Sequence, residues 1–482
     1  MACLRGSARK GALSLLASLL CAVPTVPSAG AATADPLTLL QRYLRIDTSN
    51  PPGHEIDAAI FFKELLESHG IPATIYPCGP PEQRRANVIA RLPATGPAPR
   101  AGRRALLLFN HLDVVQAERA GWSVDPFAGL ARDGYIYGRG ALDMKTTGLL
   151  QALALIRLKQ DKVPLSRDVI FLGTADEEDG STGMRWMLEN HPRLFDEVEL
   201  ALTEGDNIRV ERGAAGPAVQ AWGVDVAEKL TAWIKLTAHG QGGHASVPTG
   251  EDNPVVRLVR ALDRVSRHET PVTVLPSVAA YYAALADRFA PLPADKLRRL
   301  PVSLNEDAAF RAAFLSDPDR SATVRNTISI TVLSGGPQTN VIPSTAFAHL
   351  DCRLLPGESV DRFFEEIRGV IADPNITLEP LLDAGVSVSP SSDSDLWRAI
   401  LNVARRRAPG VPVVPSLLTS WTESSLLRPL GIQSYGFEPY ALDEREVALS
   451  HADDERISAD NVREGFEILY DIVKETAGPR AP

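Results

Sequence analysis

From Leu37 onward two hydrophobic patterns alternate along the chain. Segments with apolar residues every three or four positions, "LTLLQRYLRI", "DAAIFFKELLESHG", "TTGLLQALALIRLKQ" and "MRWMLENHP", predict amphipathic helices. Between them lie short, nearly unbroken apolar runs, "ATIYPC", "NVIARL", "RALLLFN", "RDVIFLGTA" and "VELALTE", which predict buried strands. This alternation predicts an α/β sheet covered by helices on both faces. Near Ala227 the texture changes, and "LTAWIKLTAHG" alternates polar and apolar residues like a half-exposed antiparallel strand. Helices around 254–267 follow, then a polar, proline-bearing stretch over 287–319. The strands "TISITVLSGG" and "TNVIPSTAFAHLDCRLLPGE" and the helix "RFFEEIRGVIAD" complete a small α+β unit whose sheet has one exposed face. From about Asp393 the α/β texture returns, with a helix at "SDLWRAILNVARRR" and a strand at "IQSYGFEP". The pattern predicts one α/β domain in two pieces, 35–225 and 356–482, with a smaller α+β domain, 226–355, inserted between them.

The first 34 residues differ. Arg5, Arg9 and Lys10 precede the apolar run "GALSLLASLLCAV", and "SAGAATADP" supplies small residues before Pro36. That order predicts a secretory signal cleaved after Ala34, with Ala31 or Ala32 as alternatives, and an exported protein, periplasmic or secreted. The run is short for a membrane span, and Leu20 before Cys21 makes a poor lipoprotein box, so no stable span is expected after cleavage. Beyond the signal only Cys78 and Cys352 remain, which allows one disulfide or two buried thiols. A content of 44% hydrophobic and 23% charged residues is ordinary for a globular protein. The net charge of −10 argues against sequence-independent nucleic-acid binding, which favours a basic surface.

Chemistry gathers where the strands stop. "ALLLFN" leads into His111-Leu112-Asp113, and a Gly-rich turn places Asp143 just before a helix. "VIFLGTA" leads into Asp176, Glu177, Glu178 and Asp179, and "VELALT" into Glu204. One such acidic run is explained by a solvated loop. Several converging on the carboxyl rim of an α/β sheet, where ligands bind, would make a strongly anionic pocket unless cations neutralise it. Divalent metal is the simplest resolution, and imidazole with carboxylate suits zinc. His111 and Asp113 are two apart in an extended segment and point to one face, so the carboxylate can orient the imidazole. Side chains of adjacent Glu177 and Glu178 diverge, so one can ligate while the other remains a general base.

The motifs "HLD", "GRGALDMK", "ADEEDGSTG", "TEG", "GQGGHAS", "TNVIPSTAFAHLDCRLLPGE" and "SHADDERI", in this order, resemble the two-zinc metallopeptidase family of carboxypeptidase S, glutamate carboxypeptidase, aminoacylase and N-fatty-acyl amino acid synthase/hydrolase. The resemblance covers nearly the whole mature chain. It implies an α/β zinc-exopeptidase catalytic domain with an inserted α+β lid and dimerisation domain. It implies two zinc ions, one held by His111, Asp143 and Glu204, the other by Asp143, Glu178 and His451, with Asp143 bridging. Asp113 would orient His111, Glu177 would be the general base, and His244 would steady the tetrahedral intermediate. Asn340 and Arg353 would meet the substrate's carboxylate, a pairing that suits arginine. A cis peptide between Asp143 and Met144 is also implied. The implied reaction is hydrolysis of an amide bond, in a small peptide or an N-acyl amino acid, next to a free carboxylate, by a metal-activated water. Dimeric members pass the histidine matching His244 into the neighbouring subunit's site, so a homodimer is among the expectations. Rival readings are an aminopeptidase, another amide deacylase, or a binding protein that has lost turnover; an intact Glu177 speaks against the last.

Two departures stand out. Many members carry a Gly-Gly-Thr-Asp loop near the substrate, where this chain reads Thr419-Ser420-Trp421-Thr422-Glu423-Ser424-Ser425. After Glu204 comes Gly205-Asp206 instead of Gly-Gly, which makes Asp206 a rival ligand. Asp176 and Asp179 are expected to cap the turn or the helix that follows.

Overall fold

The computed structural model describes residues 35–95, 104–213, 216–382, 389–390 and 393–479. The expected signal, 1–34, lies outside the described residues. From Asp35 onward the chain is one compact unit built on two main sheets. The larger has eight strands, in the order Val413–Leu418, Gly216–Glu228, Gln433–Leu442, Val198–Gly213, Ala105–His111, Val169–Thr174, Ala86–Leu92 and Ala73–Pro77. Ala105–His111 runs parallel to both its neighbours, so their carboxyl ends share one rim. Successive strand residues face opposite sides, and both sides are covered. Leu106, Leu108 and Phe171 pack with the helices Pro36–Leu44, Glu55–Ser68, Lys145–Gln160, Asp395–Arg407 and Ala459–Ala477. Leu107, Phe109, Ile170 and Leu172 pack with Met184, Met187, Phe195 and Leu427 on the other face. Burial on both faces is why these strands are unbroken apolar runs.

The second sheet has Leu230–Thr231, Thr345–Leu354, Ile234–His239 and Ile376–Pro380 in order, with Thr327–Ser334 also paired to Thr345–Leu354. Its alternating strands put Leu236, Ala348, Leu350 and Cys352 against Leu258 and Leu262 of the helix Pro254–Ser266 and Phe363 and Ile367 of the helix Val360–Ile371. This unit therefore reaches Pro380, past the boundary at 355 drawn from the sequence. Strand Ile376–Pro380 pairs with Ile234–His239, and its Ile376 and Leu378 fill the same core.

The polar stretch 287–319 is also more regular than its composition suggests. It contains the short helices Ala294–Leu297, Leu300–Glu306 and Ala308–Leu315. Their Leu297, Leu304, Phe310 and Phe314 pack with Val278, Tyr282, Ala227 and Leu417, against the edge of the larger sheet. Cys78 and Cys352 are buried free thiols. No helix among the described residues is long and apolar enough to cross a membrane.

Candidate active site

His111 closes the strand Ala105–His111 and is 2% exposed. Its main-chain N–H meets the Met144 sulfur at 3.4 Å. Its Nδ1 lies 3.0 Å from the Asp113 carbonyl oxygen, and the Asp113 carboxylate is farther away, at 3.6 Å. Both the carbonyl and the carboxylate of Asp113 therefore face the imidazole. The Asp113 carboxylate also braces the acidic loop. Its Oδ1 accepts the Glu177 N–H at 3.1 Å, and its Oδ2 accepts the Glu178 N–H at 3.1 Å. Asn50 Nδ2 donates to the same Oδ2 and to Asp176 Oδ1, each at 2.8 Å.

The loop after Val169–Thr174 turns because Asp176 is heavily bonded. It pairs with Arg85, accepts from Asn50, and takes the Thr182 N–H and hydroxyl at the start of the helix Thr182–Asn190. That matches the capping role expected of it, whereas Asp179 is exposed. The Asp143–Met144 peptide is cis. Glu204 stands inside the long strand Val198–Gly213 rather than at a strand end. The ladder to Gln433–Leu442 steps from Thr203 opposite Gly436 to Asp206 opposite Phe437, so Glu204 and Gly205 form a bulge. A bulge re-aims a side chain without ending the strand. Asp206 is turned to Arg209 at 2.9 Å and is not part of the cluster.

Around this rim Asp143 presents one carboxylate oxygen to each of two histidines. Oδ1 is 3.0 Å from His111 Nε2, and Oδ2 is 3.1 Å from His451 Nε2. Glu204 Oε2 lies 3.5 Å from His111 Nε2, and Glu178 Oε1 lies 3.3 Å from His451 Nε2. Ligand atoms of His111, Glu177 and Glu204 all fall within 4.8 Å of one another, as do those of His111, Asp143 and Glu178. Glu178 Oε1 is buried, with the His451 imidazole as its near neighbour. Imidazole and carboxylate atoms brought this close can share a common point, as metal ligands do.

The electrostatics agree. Burial, then the charge of Glu204, pushes Glu177 well above the usual carboxylate range. Burial pushes Glu204 up to about 7. Burial would also raise Asp143, but its bonds to His111 and His451 hold it far below the usual range. Burial opposes charge on His111, yet Glu204, Asp113 and Asp143 raise it well above an ordinary imidazole. Bonds to Asp143 and Glu178 raise His451 to about 10. Without metal the cluster recruits protons to balance its carboxylates. A divalent cation would do the same work, and this set of imidazoles and carboxylates fits one.

Two further carboxyls border the cluster. Glu423, 2% exposed, accepts the Thr174 hydroxyl at 2.6 Å, and burial raises it to about 8. Glu438, half-buried, accepts the Thr147 hydroxyl at 3.2 Å and is raised well above the usual range by burial and by Asp143. The sequence flagged Glu423 only as a departure and missed Glu438 and Asn50. Glu438 sits in an apolar run that reads as core strand. Asn50 reaches Asp113 through a two-residue strand, Ser49–Asn50, paired with Val114–Val115.

The residues expected from the inserted domain lie on two separate features. His244 is exposed on a short strand paired with Val341–Ile342, and its Nδ1 accepts the Ser246 N–H at 3.1 Å, which leaves Nε2 to carry the proton. Asn340 is adjacent, its carbonyl accepting the Ala245 N–H at 3.0 Å. Arg353 lies on the partly exposed face of Thr345–Leu354, forked onto Asp351 at 2.7 and 3.1 Å and bonded to the Thr231 hydroxyl at 2.7 Å.

Comparison with known proteins places this geometry. The chain is 30% identical over 370 residues to an N-fatty-acyl-amino acid synthase/hydrolase of Xenopus tropicalis, covering 75% of this chain and 70% of that protein. It is 27% identical over 429 residues to human aminoacylase-1, covering 87% and 90%. The crystal structure of an M20 family metallo-carboxypeptidase from Sulfolobus solfataricus superposes with a TM-score of 0.69 at 18% identity, over 92% of this chain and 99% of that one. The family model for Peptidase family M20/M25/M40 matches residues 107–475. The chain belongs to that family and is a hydrolase of its peptidase and aminoacylase type.

Proposed function

We propose that the protein hydrolyses an amide bond next to a free carboxylate, in a small peptide or N-acyl amino acid, with two zinc ions shared through Asp143. The observation that carries this reading is the Asp143 carboxylate facing His111 with one oxygen and His451 with the other. His111, Asp143 and Glu204 would hold one ion, and Asp143, Glu178 and His451 the second. Bound zinc would supply Lewis acidity to the scissile carbonyl and to the attacking water.

The chain's own residues do the rest. Glu177 takes the proton released as water adds to the carbonyl carbon and returns it to the leaving nitrogen as the C–N bond breaks. Burial and the Glu204 charge raise its proton affinity, which supports a role in holding that proton. His244 would donate its Nε2–H to the developing oxyanion, and Asn340 beside it would contact the substrate's polar end. Arg353 would bind the free carboxylate, which must compete with Asp351 for the guanidinium. The basic and apolar segments before Ala34 support export to the periplasm or the medium.

A panel of N-acyl amino acids, their C-terminal amides and dipeptides tests the reading, after chelation and after zinc is restored. We expect hydrolysis only with zinc present and only of substrates with a free carboxylate. Turnover of the amides at equal rate would remove the carboxylate requirement. No turnover of any member by the zinc-loaded protein would overturn the reading.

A further inference from the structure

Four residues beyond His451, a buried carboxylate is spent entirely on another segment of the chain. Glu455 is 0% exposed. Its Oε1 accepts the N–H groups of Leu142 at 2.7 Å and Asp143 at 3.2 Å. Its Oε2 accepts the Gly140 N–H at 3.1 Å and Arg139 Nη1 at 2.6 Å. Arg139, 2% exposed and packed over the Trp122 ring at 5.2 Å, returns the tie. Its Nη2 donates to the His451 carbonyl at 3.1 Å, and its Nη1 also donates to the Ala452 carbonyl at 3.2 Å. The Gly138 N–H donates to the Glu455 carbonyl at 3.0 Å. The segment carrying Asp143 and the segment carrying His451 come from opposite ends of the chain, with Asp143 and Glu455 312 positions apart. This network is a tie between them at the place where their side chains meet.

Two details say that the tie fixes a position as well as adding stability. His451 and Asp454 have φ of 62° and 56°, in the left-handed region that residues other than glycine adopt uncommonly. A buried ion pair is in itself a weak source of stability. Here its bonds go to the main chain of the two segments that carry ligands.

We propose that Glu455, through Arg139, is a positioning residue that sets the spacing between Asp143 and His451 and so the affinity of the second metal site. This rests on the assignment of ligands made above. Removing a group that orients a ligand typically weakens metal binding by roughly 10- to 100-fold. In Glu455→Gln the amide NH2 would face N–H donors, so the tie loses acceptors.

The test measures metal per chain by mass spectrometry after dialysis against graded chelator. Wild type is expected to hold two ions; if it does not, the two-metal reading fails before this one is reached. Glu455→Gln is expected to keep one ion at wild-type affinity and bind the other about 10- to 100-fold more weakly. Arg139→Lys keeps the charge but loses the fork onto His451 and Ala452, so the same ion should weaken; it decides the question alone if Glu455→Gln does not fold. Added to His451→Ala, which removes a ligand of that same ion, Glu455→Gln should leave the affinity of the remaining ion unchanged. Retention of both ions at wild-type affinity, or parallel weakening of both as in a general loss of stability, would overturn the proposal.

Discussion

Adjacent acids can take different tasks when the main chain between them is pinned. The Asp113 carboxylate accepts both the Glu177 and the Glu178 N–H, so the two side chains leave the loop in fixed, diverging directions. Glu178 approaches His451, and Glu177 falls near His111 and Glu204. Glu177→Gln keeps the size and removes the base. We expect unchanged metal content and kcat lowered by roughly 10²- to 10⁴-fold. Glu178→Gln should instead weaken one ion, and Asp143→Ala should lose both. Metal analysis with steady-state kinetics on the three variants checks this. Swapped phenotypes for Glu177 and Glu178, or one full-occupancy ion in Asp143→Ala, would contradict the assignments. At this scale the sequence was informative where a charged side chain follows an apolar run, as at His111 and Glu178, because burial of such a group demands a reason. It was silent at Asn50, whose reach to Asp113 depends on pairing between distant segments. It was silent too on the Asp113 carbonyl that meets the imidazole, since that turns on the local path of the main chain.

Elements with one dominant period were legible, and those whose geometry depends on a partner were not. The strands Ala105–His111 and Val169–Thr174 and the helix Glu55–Ser68 stand where their patterns put them. The bulge at Glu204 left no trace, because "VELALTEGDNIRVERG" reads equally well as a strand that stops at Glu204. The short helices of 287–319 were hidden by their length and by prolines that serve as helix starts. One helix start carries a testable charge. Glu55, the first residue of Glu55–Ser68, is 0% exposed, and neither carboxyl oxygen has a hydrogen-bond partner. Burial, reinforced by the Asp113 charge, pushes it from 4.5 up to about 8. Between those values the folded chain keeps a proton that the unfolded chain releases. Stability from this group is therefore complete below the lower value and is lost as pH rises toward the upper. Glu55→Gln lacks that loss. Urea unfolding of both proteins at fixed zinc should show the variant gaining on wild type from pH 5 to pH 8, by at most about 1.4 kcal/mol per pH unit. A gap that stays flat would mean that Glu55 is ionised in the fold.

At the scale of the whole molecule, His244 is the residue whose proposed role is least complete within one chain. It is exposed, and its imidazole Nδ1 is taken up by Ser246. Nearby elements carry features of a pairing surface. Thr327–Ser334 is paired along one side, with Thr345–Leu354, and exposes Ile330, Val332 and Leu333. The helix Pro254–Ser266 exposes Val256 and Val259. An exposed apolar edge strand invites another strand, and a second copy across a two-fold axis gives both chains the same contact. The helices of 287–319 could have covered this surface, but their apolar side chains turn to Ala227 and Leu417. The expectation is a homodimer in which His244 serves the neighbouring site. Glu177→Gln and His244→Ala, each nearly inactive alone, would then complement each other when mixed under conditions of subunit exchange. In a mixed dimer one site carries both defects and the other neither. Half the dimers are mixed and half their sites intact, so random exchange should restore about a quarter of wild-type activity. Analytical ultracentrifugation of the wild type accompanies the assay. A fully active monomer, or mixtures with no more activity than their parents, would show that His244 acts within its own chain.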